Sequence, residues 1–89
     1  MTTYQIVFEK KFIKLLRKTN KNDQDRISKW INKNLHNTTN PRQHGKALTG
    51  SLSKYWRYRV GKYRIIAEIR DRELIILMID VGHRGDIYR

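Results

Sequence analysis

The sequence predicts an α+β fold: a small, twisted, mainly antiparallel sheet of about four strands with two N-terminal helices packed on one face. Three observations carry this. Apolar residues recur at helical spacing through the N-terminal part of the chain, then alternate with polar ones from Ser53 onward. A glycine turn at Gly61-Lys62 divides the alternating stretch into two segments of matching phase. Near the C-terminus "ELIILMIDV" (73–81) is apolar at almost every position, as a strand covered on both sides would be.

The first strand is expected in "TYQIVFE" (3–9), where Tyr4, Ile6 and Phe8 alternate with polar or small neighbours. A first helix follows over 9–19, with Phe12, Leu15 and Leu16 continuing from Phe8 at helical spacing. "NKND" ends it. Asn22 or Asp23 is the expected N-cap of a second helix, and Asp25 suits the positive end of its dipole. In that helix Ile27, Trp30, Ile31 and Leu35 form one apolar stripe, while Lys29 and Lys33 lie outside it; Trp30 reads as core. "HNTTNPRQHGK", which holds Pro41, is polar loop, and His36 and His44 beside it read as solvated.

The hairpin can be registered from its turn alone. Gly at the first turn position fits a two-residue type II′ loop. Val60 then faces Tyr63, Arg59 faces Arg64, Tyr58 faces Ile65 and Trp56 faces Ala67. Trp56, Tyr58, Val60, Tyr63, Ile65, Ala67 and Ile69 share the face on which the helices are expected to pack. Arg57, Arg59, Arg64, Ile66 and Glu68 share the other, expected to be concave and open. The phase of 73–81 is not readable, because the Asp71-Arg72 turn has no glycine to fix its length.

The chain has 89 residues, room for one modest core, and is expected to form a single domain over 1–89. It has no cysteine, so disulfide and thiolate chemistry are excluded and a reducing, cytoplasmic setting is expected. No apolar run approaches the roughly 18 residues of a membrane helix, and "MTTYQIVFEKK" lacks the order of a signal peptide. No membrane partner is expected. The extreme quantity is charge. Twenty Lys and Arg against eight Asp and Glu give +12, with an isoelectric point near 10.4. Such an excess on so small a domain points to a polyanionic partner.

Like charges directly opposite on a sheet are destabilising. The Arg59–Arg64 pair, with Arg57 two residues along, is tolerable if all three side chains splay into water. It becomes favourable when an anion sits between them, because guanidinium forks grip phosphate. Glu68 on the same face reads as a structural counter-ion. The tail "VGHRGDIYR" (81–89) brings His83, Arg84 and Tyr88 close together: a group that titrates near neutral pH, a cation and an aromatic hydroxyl. Beside an arginine face this is a constellation for phosphoryl transfer, where positioning and electrostatics dominate. Asp80 and Asp86 do not form a chelating set, so neither metal nor cofactor is expected.

"LTGSLSKYWRYRVGKYRIIAEI" (48–69) followed by "VGHRGDIYR" resembles the RelE family of bacterial toxins, within the RelE/ParE superfamily. The resemblance implies a toxin that occupies the ribosomal A site and cuts the mRNA there without a metal. A 2′-hydroxyl would attack its own phosphate, leaving a 2′,3′-cyclic phosphate and a 5′-hydroxyl. It places the scissile phosphate on Arg57 and Arg59, a phosphate clamp at Arg64, transition-state stabilisation at Arg84, and mRNA stacking at Tyr88. Some relatives carry lysines at Arg57 and Arg59. Arginine is a poor proton acceptor, so His83 is the better candidate base. Lys46, Lys54 and Lys62 are expected to contact RNA. The implied partners are the ribosome, mRNA and a cognate antitoxin whose acidic segment covers the arginine face; operator DNA would be met only through the antitoxin complex. Two other readings stand beside this one. A ParE-like gyrase inhibitor would need neither the arginine pair nor the tail. A non-catalytic nucleic-acid-binding module would interleave aromatics with basic residues on one face, whereas Trp56 and Tyr58 point away from the arginines.

Overall fold

The computed structural model describes residues 2–83. Its elements run β1 (Gln5–Phe8), α1 (Lys10–Arg17), α2 (Lys21–Asn34), β2 (Lys46–Ala47), a 3-10 turn (Gly50–Leu52), β3 (Tyr55–Val60), β4 (Tyr63–Arg70) and β5 (Ile75–His83). The sheet has five strands in the order β1-β5-β4-β3-β2, one more than the sequence indicated. The extra one, β2, is two residues long and too short to show a period. It pairs Lys46 with Arg57 and Ala47 with Trp56. Only β1 and β5 are parallel; every other pair is antiparallel.

The β3–β4 hairpin has the register expected of its turn, from Val60 opposite Tyr63 to Trp56 opposite Ala67. Gly61 has φ +58, and Lys62 is not among the residues of positive φ, as a type II′ loop requires. On the helix side of the sheet Tyr58, Ile65 and Met78 are fully buried against Phe12 of α1 and Ile27 and Leu35 of α2. Leu35 is the C-cap of α2 and closes its apolar stripe.

Two local expectations change. The N-cap of α2 is Asn20, not Asn22 or Asp23. Its carboxamide oxygen accepts from the Asp23 amide at 2.9 Å, while Gln24 donates back to the Thr19 carbonyl at 2.8 Å. Both interactions tie the preceding turn to the helix start. In β5, Ile76 and Met78 face the core, but the next core residue is Val81 rather than Asp80. A bulge opposite Ile66/Ala67 inserts the extra residue and resets the alternation. The other face of β5 is only half-covered, at Ile75, Leu77 and Ile79.

The polar segment between α2 and β2 is pinned by side chains from distant strands. The buried Tyr58 hydroxyl donates to the Pro41 carbonyl at 2.6 Å, and the Trp56 indole donates to the His44 carbonyl at 2.7 Å. Burial pushes the Tyr58 hydroxyl pKa well up, so it stays a donor. Arg42 forks onto Asp71 at 2.9 and 3.0 Å, and Tyr4 donates to the same carboxylate at 2.7 Å. Gly45 lies so close to β3 that a Cβ there would run into the Arg57 carbonyl oxygen and meet the Trp56 indole nitrogen at 2.7 Å. Among the described residues no helix is long and apolar enough to cross a membrane.

Two stability predictions follow from this segment. Gly45 has φ +85 and no room; Gly50 has φ +65 with open space around it. Gly45→Ala should lower Tm by about 5–20 °C, from strain of about 1–3 kcal/mol plus displacement of the backbone. Gly50→Ala should show the smaller, conformational loss alone, and thermal melts of the two variants compare them directly. The Asp71 carboxyl is held below its ordinary pKa, first by Arg42 and then by Tyr4. A depressed pKa stabilises the fold above the ordinary value of 3.8, and that contribution fades as pH falls through the lower folded value. Asp71→Asn should therefore be less stable than wild type at neutral pH, by about 0.2–1 kcal/mol for so exposed a pair. Denaturant titrations at pH 7 and in strong acid should show the gap closing.

Candidate functional site

Antiparallel pairing sorts the charged side chains into rows across the sheet, since directly opposed residues share a face. One row on the face away from the helices runs Lys46, Arg57, Ile66, Asp80. The next runs Arg59, Arg64, Gly82. Four cations therefore occupy neighbouring rows, and two of the cross-strand pairs, Lys46–Arg57 and Arg59–Arg64, oppose like charges. The sheet's nearby acids are engaged with other cations. Asp80 pairs with Lys11 at 3.3 Å, and Glu68 pairs with Arg70 at 3.1 Å. Glu68 is thus a counter-ion, but to Arg70 rather than to the arginine cluster.

The cluster is less open than its sequence implied. Lys46 and Arg59 are exposed, Arg57 is half-buried, and Arg64 retains only 7% of its accessible surface. The expectation of an open arginine face is therefore corrected at Arg64. It lies on β4, the middle strand of the sheet, where neighbouring strands shelter both flanks. Ile66 beside it is buried for the same reason, at 8% exposure. The Arg57 Nε is buried and makes no hydrogen bond among the described residues. A buried guanidinium nitrogen without an acceptor is costly, and an anionic oxygen brought to the face would supply one.

The remaining predicted residues separate. His83 is exposed at the end of β5, but it stands opposite Tyr63, whereas Gly82 stands opposite Arg64. The imidazole consequently belongs to the helix-side row, where it meets the Tyr63 ring edge-on with centroids 5.8 Å apart. Tyr63 in turn donates to Asp23 at 2.7 Å, and that carboxylate raises the phenol's pKa. Lys54 places its ammonium 5.0 Å from the centre of the Tyr55 ring. Lys62, at the hairpin tip, lines a hollow of about 550 Å³ with the start of α2, including Asn20, Asp23 and Arg26. Of the three lysines only Lys46 joins the arginines. Arg84 and Tyr88 lie outside the described residues.

Sequence reasoning missed a feature at the β2–β3 edge. A cleft of about 300 Å³ opens there between Trp30, His44, Gly45, Lys46, Arg57 and Arg59. Trp30 packs against the core, as expected, yet also lines this cleft; His44 is half-buried rather than solvated. Neither residue's spacing to the arginines hints at this. The only local signal is Gly45, whose missing side chain lets the segment approach β3.

Comparison with known proteins fits this geometry. The family model described as "ParE toxin of type II toxin-antitoxin system, parDE" matches residues 6–88. A chain of the toxin–antitoxin complex RelBE2 from Mycobacterium tuberculosis superposes with a TM-score of 0.83 at 24% identity, covering 97% of both chains. The isolated E. coli RelE toxin gives a TM-score of 0.73 at 21% identity, covering 96% of this chain and 90% of that one. These two likenesses are of fold. A chain of the RelB–RelE antitoxin–toxin complex from Methanococcus jannaschii is 30% identical, with a TM-score of 0.60 and coverage of 92% and 94%. No curated protein matches the chain. With its strand order, its cation-bearing sheet face and a family match over nearly its whole length, the chain belongs to the ParE toxin family of type II toxin–antitoxin systems, within the RelE/ParE superfamily.

Proposed function

We propose that this toxin is a metal-independent endoribonuclease that cuts mRNA in the ribosomal A site and so inhibits translation. The observation that carries the reading is the pair of like-charge oppositions, Lys46–Arg57 and Arg59–Arg64, on neighbouring rows of one face. Like charges directly opposite each other on a sheet repel. A phosphodiester between the rows reverses the sign. Arg59 and Arg57 then hold the non-bridging oxygens, and Arg64, buried and backed by the sheet, is the least mobile of the three.

In the proposed reaction the 2′-oxygen forms a bond to phosphorus as the bond from phosphorus to the 5′-oxygen breaks. The 2′-hydroxyl gives up a proton and the leaving 5′-oxygen takes one. Negative charge grows on the non-bridging oxygens in the transition state, where fixed guanidinium groups stabilise it most. His83 would handle a proton only if the RNA backbone crosses the end of β5. Gly82, opposite Arg64, adds no side chain of its own there. Arg84 and Tyr88 keep the roles that the family resemblance implies, Arg84 stabilising the transition state or aiding the leaving group and Tyr88 stacking on or orienting the mRNA. A cognate antitoxin with an acidic segment over the same face would neutralise it, and salt would weaken that contact.

A second reading is favoured by one finding, the family model itself, which is that of ParE toxins. On it the protein would inhibit DNA gyrase and cut no RNA. Brief induction followed by mapping of new mRNA 5′ ends against ribosome position separates the two. Cuts in phase with codons and confined to translated regions are expected. Intact mRNA together with blocked supercoiling by purified gyrase would establish the second reading instead.

Two substitutions test the chemistry. Arg59 is exposed on the proposed phosphate face and Lys62 is exposed at the hairpin tip. Arg59→Ala should lower the single-turnover rate on ribosome-bound mRNA by about 10²–10³-fold, as loss of a charge-stabilising donor does. Lys62→Ala should chiefly reduce the salt dependence of binding. Equal losses in two folded variants would remove Arg59 from contact with the scissile phosphate. If His83 transfers a proton, His83→Gln should slow cleavage by about 10²–10⁴-fold, and the wild-type rate should titrate between about pH 5 and 8. A flat profile with a near-normal Gln variant would leave electrostatic positioning as the source of rate.

A further inference from the structure

The cleft at the β2–β3 edge differs in kind from the arginine face beside it. Cations alone make a phosphate site, but here two rings share the space with them. His44 and Trp30 meet edge to face with centroids 5.8 Å apart. Trp30 is itself braced by the buried Tyr58 ring, 5.4 Å away. The backbone carrying His44 is held by the Trp56 indole on its carbonyl and by the close passage of Gly45 over β3. The imidazole is therefore presented from a fixed main chain against a fixed indole. Lys46, Arg57 and Arg59 line the remainder.

Aromatic rings among cations are how proteins hold single-stranded nucleic acid. A base stacks on the ring for about 1–3 kcal/mol while its phosphate lies along the basic groove. A base-paired duplex offers no free base face to such a ring. An acidic peptide would use the cations and leave the rings idle. We propose that this cleft is a nucleotide subsite: one base of single-stranded RNA stacks on His44, backed by Trp30, and its phosphate lies on Lys46. Arg57 lines both the cleft and the arginine face, so the subsite receives the nucleotide flanking the phosphate to be cut. The inference rests on the reading of the chain as an RNA-cutting toxin and adds to it a base contact away from the scissile bond.

The chain's two tryptophans, Trp30 and Trp56, both border this region, so intrinsic fluorescence reports on its occupancy. The intact protein is titrated with an end-labelled, fully 2′-deoxy oligonucleotide, which cannot be cut. Anisotropy measures binding and tryptophan emission marks the place. An abasic oligonucleotide of the same length and inorganic phosphate serve as controls. Saturable binding with a change in emission is expected from the oligonucleotide, and much weaker binding from both controls. His44→Ala should weaken oligonucleotide binding by about 5- to 100-fold, the share of one stacked base, and His44→Phe should restore it. Equal affinity for the abasic chain, or wild-type binding by a folded His44→Ala, would overturn the subsite. Ribosomal mRNA cleavage that persists in that case would show the nuclease reading standing without it. Base-dependent binding by a protein that cuts nothing would show the reverse.

Discussion

The pairing of β3 with β4 is the constraint on which the rest of the molecule depends. Sheet side chains alternate, so a slip of one residue would turn Tyr58 out to water and drive Arg59 into the core. Gly61 prevents this by fixing a two-residue turn, and the aromatic phase of Trp56 and Tyr58 reinforces it. The consequences run outward from the hairpin. Tyr58 can hold the Pro41 carbonyl and Trp56 the His44 carbonyl only in this register. Those two bonds bring the polar segment back along β3, where Gly45 permits the contact that sets β2 beside Arg57. The core, the edge cleft and the basic rows are thus one arrangement seen from different sides.

The same register concentrates charge. A net charge of +12 spread evenly would repel weakly everywhere; opposed in pairs on two rows, part of it becomes a local field. Among the described residues, three acids pair with cations outside those rows. Asp71 is drawn to Arg42 at the far end of the sheet, Glu68 to Arg70, and Asp80 to Lys11 on α1. Each of these pairs ties elements together at the periphery. Fold stability therefore rests on the apolar helix side and on these peripheral ties, while directly opposed cations on the basic rows contribute repulsion.

What could be read from the sequence follows from the range of the forces involved. The hairpin was legible down to its register because a glycine turn and a period of two are both local. The α2 stripe of Ile27, Ile31 and Leu35 was legible for the same reason. Depth was not. Alternation assigns Arg64 to a face, yet its burial comes from its strand lying third of five. The β5 phase was hidden by a bulge that no residue type announces. The cap of α2 was ambiguous because Asn20, Asn22 and Asp23 are all good cap residues; tertiary placement of Thr19 and Gln24 decides among them. β2 is a product of contacts with side chains from β3, and with it came the cleft at His44. His83 and Gly82 are neighbours in sequence and opposite in face, so naming the histidine did not place it.

That last separation bears on how one fold carries different toxins. Chains sharing about a fifth of their residues keep this strand order, as the match to the E. coli RelE toxin illustrates. A shared fold does not by itself fix what the outward positions of its sheet present. In this chain the outward positions of β2, β3 and β4 carry Lys46, Arg57, Arg59 and Arg64. Such a face suits an anionic partner, whether its charges come from an acidic protein segment or from phosphates. A polymer of phosphates supplies them at regular intervals along a thin, flexible backbone. On the reading of the chain as an RNA-cutting toxin, that polymer is the anion these rows take.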